Sequence, residues 1–225
     1  VPAASPARPQ AVVFDCDGLL LDTEHAWTRA EATLFAGHGV AFDADHKREL
    51  IGSSHAVAAA KLEVMLHAPG QGRALMAELH ELVMAEALHD ILPRPGALEL
   101  ADALRAAGIA IAVASNSPRA FLDRVLRTSG AADRFAVTVA GDEVEHPKPA
   151  PDIYLAACRR LHADPARSVG LEDSPIGALA AHAAGLTVIG VPFLPDMEIA
   201  AADLLATALD DPVVLEACGL VPSRR

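Results

Sequence analysis

Ala11-Val12-Val13-Phe14-Asp15-Cys16-Asp17-Gly18 is the stretch that decides the fold. Four apolar residues in a row, two of them β-branched, make a short strand buried on both faces. Two acids follow it at once. Side chains two residues apart on an extended chain point the same way, so Asp15 and Asp17 converge beyond the carboxyl end of the strand, while Cys16 faces the opposite side and the core. Working outward, the same pattern recurs. Ile109–Ala114, Ala136–Val139, Ser168–Leu171 and Leu186–Val191 are short apolar runs, and Ala97–Ala107, Pro118–Ser129, Pro151–Leu161 and Pro175–Ala184 carry helical spacing between them. Strands alternating with helices of about ten to fifteen residues predict βαβ units. The fold class is therefore α/β, a Rossmann-like parallel sheet covered on both faces. From Glu24 to Leu92 no strand is predicted, only three or four amphipathic segments, Glu24–Gly37, Asp43–Leu50, Ser54–Leu66 and Gly72–Leu88, closed by Pro93-Arg94-Pro95-Gly96. The expected organisation is a loose tail over 1–10, an α/β core from 11–25 and 94–225, and a helical insertion over 26–93.

Composition narrows the classes. Thirty acids against 18 bases give a formal charge of −12, which argues against nucleic acid as partner. No apolar run reaches the ~18 residues of a membrane span, and Val1–Gln10 lacks the apolar centre of a signal peptide. Three scattered cysteines fit a reducing compartment, so the expectation is a cytoplasmic protein. A monomer is expected, because no segment outside the core and insertion reads as an unburied apolar surface. With 52% hydrophobic but only 4% aromatic residues, the core is expected to be aliphatic. The negative charge poses a problem for any anionic ligand, which needs a local cation.

In open parallel sheets ligands bind beyond the carboxyl ends of the strands. There the second strand delivers Ser115-Asn116-Ser117-Pro118, a hydroxyl and free N–H groups at a helix start, which make an anion cradle. The third leads to His146-Pro147-Lys148-Pro149, where two prolines hold Lys148 in a stiff loop. The fourth delivers Glu172-Asp173-Ser174-Pro175. Asp15, Asp17, Glu172 and Asp173 are thus expected side by side. Two carboxylates ~4 Å apart repel by about 4 kcal/mol at an effective dielectric of 20. A divalent cation removes the conflict, and an all-oxygen set that also reaches a substrate phosphate favours Mg2+.

Four motifs in this order, Val13 to Glu24, Ser115-Asn116, Lys148 to Tyr154 and Gly170 to Ser174, resemble those of the haloacid dehalogenase superfamily, in its phosphatase and β-phosphoglucomutase-like branch. The resemblance spans residues 11–195, and the helical insertion resembles that branch's cap domain. It implies that Asp15 is the nucleophile and forms an aspartyl-phosphate, and that Asp17 protonates the leaving oxygen and then activates water. Ser115, the Asn116 N–H and Lys148 are implied to hold the phosphoryl oxygens. Mg2+ is implied on Asp15, the Asp17 main-chain carbonyl and Asp173, with Glu172 beside it. Dehalogenases and phosphonate-cleaving members of the family lack an acid at Asp17, so its presence implies an oxygen leaving group.

Leu50-Ile51-Gly52-Ser53-Ser54-His55 resembles the cap's specificity loop, which makes Gly52, Ser53 and His55 candidate substrate contacts. The family's mutases carry a Lys and an Arg where this chain has Ile51 and His55, and a His where it has Trp27, read here as cap or hinge packing. Lacking those charges for a second phosphate, the site is expected to hydrolyse a small phosphorylated metabolite, a sugar phosphate, with Mg2+. The alternatives are a β-phosphoglucomutase-like hexose phosphate mutase and a non-catalytic phosphometabolite-binding protein on the same fold.

Overall fold

The computed structural model describes residues 8–220 apart from 52, 54, 88–90 and 195. Among the described residues six strands form one parallel sheet: β1 (Ala11–Phe14), β2 (Ala110–Ser115), β3 (Val137–Ala140), β4 (Ser168–Glu172), β5 (Thr187–Gly190) and β6 (Leu204–Leu205), in spatial order β3-β2-β1-β4-β5-β6. The α/β expectation is borne out. β1 is central, and its register sets Phe14 beside Val113 on one side and Leu171 on the other. The residues that follow these three positions therefore emerge together at one edge of the sheet.

Alternation along β1 divides the core. Val12 and Phe14 face one apolar cluster, in which Phe14 meets Phe135 edge-on at 5.5 Å. That side is covered by α5 (Ala97–Ala106) and α6 (Arg119–Thr128). Val13 faces the other cluster, built from small residues such as Ala112, Ala114, Ala157, Ala178 and Ala181, which let α7 (Asp152–Leu161) and α8 (Pro175–Ala183) pack close to the sheet.

Between β1 and α5 lie α1 (Glu24–Gly37), α2 (Ala44–Leu50), α3 (His55–Met65) and α4 (Gly72–Glu86). Asp43 starts α2 by accepting the Asp45 and His46 N–H groups, each at 3.0 Å. The chain leaves β1 and returns to α5 through two adjacent segments, tied where the Asp22 N–H donates to the Leu92 carbonyl at 2.8 Å and the Arg94 N–H to the Leu20 carbonyl at 2.9 Å. Both ties lie close to the acidic turn that follows β1. Because α1 begins at Glu24, the boundary expected between 25 and 26 falls inside a helix.

Two short elements escape the sequence patterns, β6 and α9 (Pro212–Ala217), since two and six residues carry too little periodicity to register. Of the tail expected over 1–10, residues 1–7 lie outside the described residues. Gln10 is tied down by its N–H to the Arg167 carbonyl at 2.7 Å. Among the described residues no helix is long and apolar enough to cross a membrane. Cys16, Cys158 and Cys218 are buried and unpaired.

Candidate active site

The strand register brings Asp15, Lys148, Glu172 and Asp173 to one buried point. Asp15 is 7% exposed, Lys148 3%, Glu172 0% and Asp173 6%. The Lys148 ammonium sits between two carboxylates, 2.5 Å from Asp15 Oδ1 and 2.6 Å from Glu172 Oε1. It also lies 5.0 Å above the ring of Tyr154 on α7, whose hydroxyl donates to the same Glu172 oxygen. The main chain of Lys148 is clamped as well. Its N–H donates to Asn116 Oδ1 at 2.8 Å, and Asn116 Nδ2 donates back to its carbonyl at 3.2 Å. The stiff loop read from two prolines thus gains a reciprocal amide clasp that the sequence did not announce.

Carboxylate oxygens of Asp15, Glu172 and Asp173 lie within 4.8 Å of one another. Fully ionised, three buried carboxylates against one lysine would leave two negative charges uncompensated by these side chains. Burial pushes the Asp15 carboxyl up to about 8, with Lys148 opposing and Glu172 and Asp17 adding to the rise. Burial, then Asp15, Glu172 and Glu24, push Asp173 well above the carboxylate range. For Lys148 burial works downward, but Asp15 and Glu172 outweigh it and hold the ammonium protonated well past its ordinary range. The donor set is that of a hard-cation site.

Asp17 stands apart from this cluster, held by three hydroxyls. Thr23 Oγ1 donates to Oδ1 at 2.9 Å, and Ser115 Oγ and Ser117 Oγ donate to Oδ2 at 2.8 and 2.9 Å. Ser115 is fully buried, and its Oγ also accepts the Ser117 N–H at 3.0 Å. Its hydroxyl is thus engaged with Asp17 and with the turn into α6. Thr23, Ser117 and Tyr154 are members of the site that sequence reasoning passed over. Ser117 carried a legible signal, since it sits two residues beyond Ser115 and so on the same side of the chain.

A cavity of about 350 Å³ opens in front of these groups. Of the residues expected at the site, Asp15, Asp17, Asn116, Lys148, Asp173, Ser53 and His55 line it. Ser115 and Glu172 sit behind that wall, and Gly52 lies outside the described residues. Trp27 also lines the cavity, its ring 5.6 Å from Phe121 on α6 and 6.2 Å from His80 on α4, so it bridges the helical segment and the sheet. The helical side adds residues that were not foreseen. Lys47 on α2 lies 2.8 Å from Glu24 Oε2 and 3.0 Å from Glu31 Oε2, both on α1. Burial pushes Glu31 up to about 7 against the pull of Lys47.

Two glycines make room for this packing. Gly18 adopts φ +88°, and a Cβ there would collide with the Asp173 carboxylate. Gly177 lies on α8, where a Cβ would run into the Glu172 carboxylate. Gly177→Ala is expected to push Glu172 off Lys148, costing about 1–3 kcal/mol of stability and lowering turnover. Urea denaturation and a steady-state assay check both. A variant as stable and active as the parent would show that Glu172 has room to retreat.

The sequence model of one family, haloacid dehalogenase-like hydrolase, matches residues 9–185. The chain is similar to validoxylamine A 7'-phosphate phosphatase of Streptomyces hygroscopicus subsp. limoneus, 32% identical over 207 residues that cover 90% of this chain and 95% of that protein. Among solved structures it is similar to CbbY from Rhodobacter sphaeroides in complex with phosphate, with a TM-score of 0.81 and 32% identity over 94% of this chain and 100% of the other. It is also similar to a putative β-phosphoglucomutase from Thermotoga maritima, with a TM-score of 0.71 and 28% identity over 92% of this chain and 96% of the other.

Proposed function

The chain belongs to the haloacid dehalogenase-like hydrolases and is a phosphomonoester hydrolase, and from there we propose that it is a Mg2+-dependent phosphatase acting on a small sugar phosphate in the cytosol through a phosphorylated Asp15. The observation that carries this reading is the buried Lys148 ammonium bound to Asp15 and Glu172, with Asp173 against the same carboxylates. The relative named as a phosphatase supports hydrolysis, and the net charge of −12 supports a substrate other than nucleic acid.

In the first half of the reaction an Asp15 carboxylate oxygen attacks phosphorus and the bond to the leaving oxygen breaks. Asp17 gives that oxygen a proton, from a carboxyl oriented by Thr23, Ser115 and Ser117. In the second half Asp17 takes a proton from water. The water oxygen bonds to phosphorus, the bond to Asp15 breaks, and free phosphate leaves. Lys148 faces the phosphoryl oxygens on one side, and the Asn116 N–H, in the turn between β2 and α6, faces them on the other. Ser115 acts here through Asp17, Asn116 by fixing Lys148, and Glu172 by anchoring Lys148 from behind. Asp15, Asp173 and the Asp17 main-chain carbonyl are the groups that would hold Mg2+, with Glu172 close by. Once bound, Mg2+ offsets the two uncompensated charges and the charge on the transferring phosphoryl group. Helices α1–α4 serve as a cap over the phosphoryl site, with Ser53, His55 and Gly52 as its candidate substrate contacts, and the working unit is a monomer.

Similarity to a putative β-phosphoglucomutase supports a second reading as a mutase. Ile51 and His55 weigh against it, because neither holds a distal phosphate as a Lys–Arg pair does.

The test is turnover of p-nitrophenyl phosphate by the full chain. Activity is expected with Mg2+ and lost with chelator. Mg2+ at about a hundred times its Kd is expected to stabilise the fold by about 2.7 kcal/mol, a rise in melting temperature that Asp173→Asn removes. A folded protein with no turnover in Mg2+ would overturn the reading.

A further inference from the structure

The cap wall of the cavity carries a charge cluster that the reaction above does not use. Lys47 bridges Glu24 and Glu31, and side-chain exposures of 16%, 13% and 5% show all three largely out of water. Partly buried ion pairs are a weak source of stability, and apolar side chains of similar size often replace them without loss. Their position invites another role, since all three line the same cavity as Asp15. The cluster is also incompletely satisfied. Glu31 Oε2 accepts a hydrogen bond from Lys47, whereas Glu24 Oε2 is buried and, at 2.8 Å from the same ammonium, lacks hydrogen-bond alignment. Side chains of all three residues border the space that a leaving group would fill.

Resting on the phosphatase reading, we propose that Glu24, Lys47 and Glu31 recognise the leaving group, selecting an uncharged polyhydroxylated alcohol and rejecting one that bears a second phosphate. Hydroxyls donate to the two carboxylates and accept from the ammonium, so one cluster serves both halves of a diol. Apolar neighbours Leu50, Met76 and Leu79 cover the carbon skeleton. A second phosphate would meet a different balance. Lys47 is the lysine or arginine among the described cap residues that line the cavity, beside His55 and His80, and two carboxylates already claim it, leaving +1 − 2 = −1 on this wall when both carboxylates are ionised and the histidines neutral. A dianion placed there is repelled by that net charge.

The test compares kcat/KM for a hexitol monophosphate, a hexose bisphosphate and p-nitrophenyl phosphate. The wild-type chain is expected to favour the hexitol ester over the bisphosphate by about tenfold or more. The double variant Glu24→Gln and Glu31→Gln turns the wall from −1 to +1, and is expected to shrink that preference about tenfold. Glu31→Gln alone, a near-isosteric change, is expected to move it the same way by less, and stands in if the double variant fails to fold. Lys47→Met is expected to lower the ratio of hexitol ester to p-nitrophenyl phosphate turnover. A purely structural cluster would depress all substrates together, so ratios unchanged in folded variants would overturn the proposal. So would a wild-type preference for the bisphosphate with p-nitrophenyl phosphate turnover intact. Absence of all turnover would instead bring down the phosphatase reading itself.

Discussion

Asp15→Asn is expected to lower phosphatase turnover about ten-thousandfold or more while leaving the protein folded. Asparagine keeps the shape and an oxygen for Lys148 to approach, but its amide does not serve as the phosphoryl acceptor that the two-step reaction needs. Stability is expected to hold, because the substitution removes one of three carboxylates crowded within 4.8 Å. Burial, with Glu172 and Asp17 adding and Lys148 opposing, raises the Asp15 carboxyl to about 8, so a neutral side chain suits this position. Loss of rate without loss of melting temperature separates chemistry from folding. Residual turnover above about a hundredth of the parent would mean that another group takes the phosphoryl.

Lys148→Met is expected to damage both rate and stability. Methionine fills much of the volume but leaves Asp15, Glu172 and Asp173 facing one another with no cation between them. Breaking a buried ion pair by removing one partner costs about 3–5 kcal/mol, read from urea denaturation of the metal-free protein. Turnover is expected to fall about a hundred- to a thousandfold, since a positive charge aimed at the phosphoryl oxygens is gone. Adding Glu172→Gln to Lys148→Met distinguishes the two effects. The second change removes a stranded charge, so part of the stability is expected to return while the rate does not. A single variant as stable as the parent would show that Lys148 is not what compensates the acidic cluster.

Much of the fold was legible because it repeats one physical pattern. Four consecutive buried residues at β1, and the helices after β2, β3 and β4, carry two periodicities that differ enough to be told apart. α1 was read with its observed ends at Glu24 and Gly37. β6 and α9 were missed, and the boundary at 25 and 26 fell inside α1, because short elements and continuous helices leave no mark in periodicity. The acids at the strand ends were legible for the same reason as the strands, since a parallel sheet sends the residues after each strand to one edge.

By itself, then, the sequence determined the sheet, the order of its strands along the chain, and the chemical types that meet at its carboxyl edge. Each follows from neighbours in the chain, through alternation, capping and turn chemistry. Only the tertiary structure decided how those groups divide the work. Ser115 turns to Asp17, Asn116 clasps the main chain of Lys148 across 32 positions, and Tyr154 reaches Glu172 from a helix 18 residues earlier. It also decided that Lys47, an unremarked lysine on a short helix, is claimed by two carboxylates of α1 at the cavity wall. Such contacts depend on which surfaces pack against which, and a hydrogen bond or ion pair between distant positions leaves no local pattern to read.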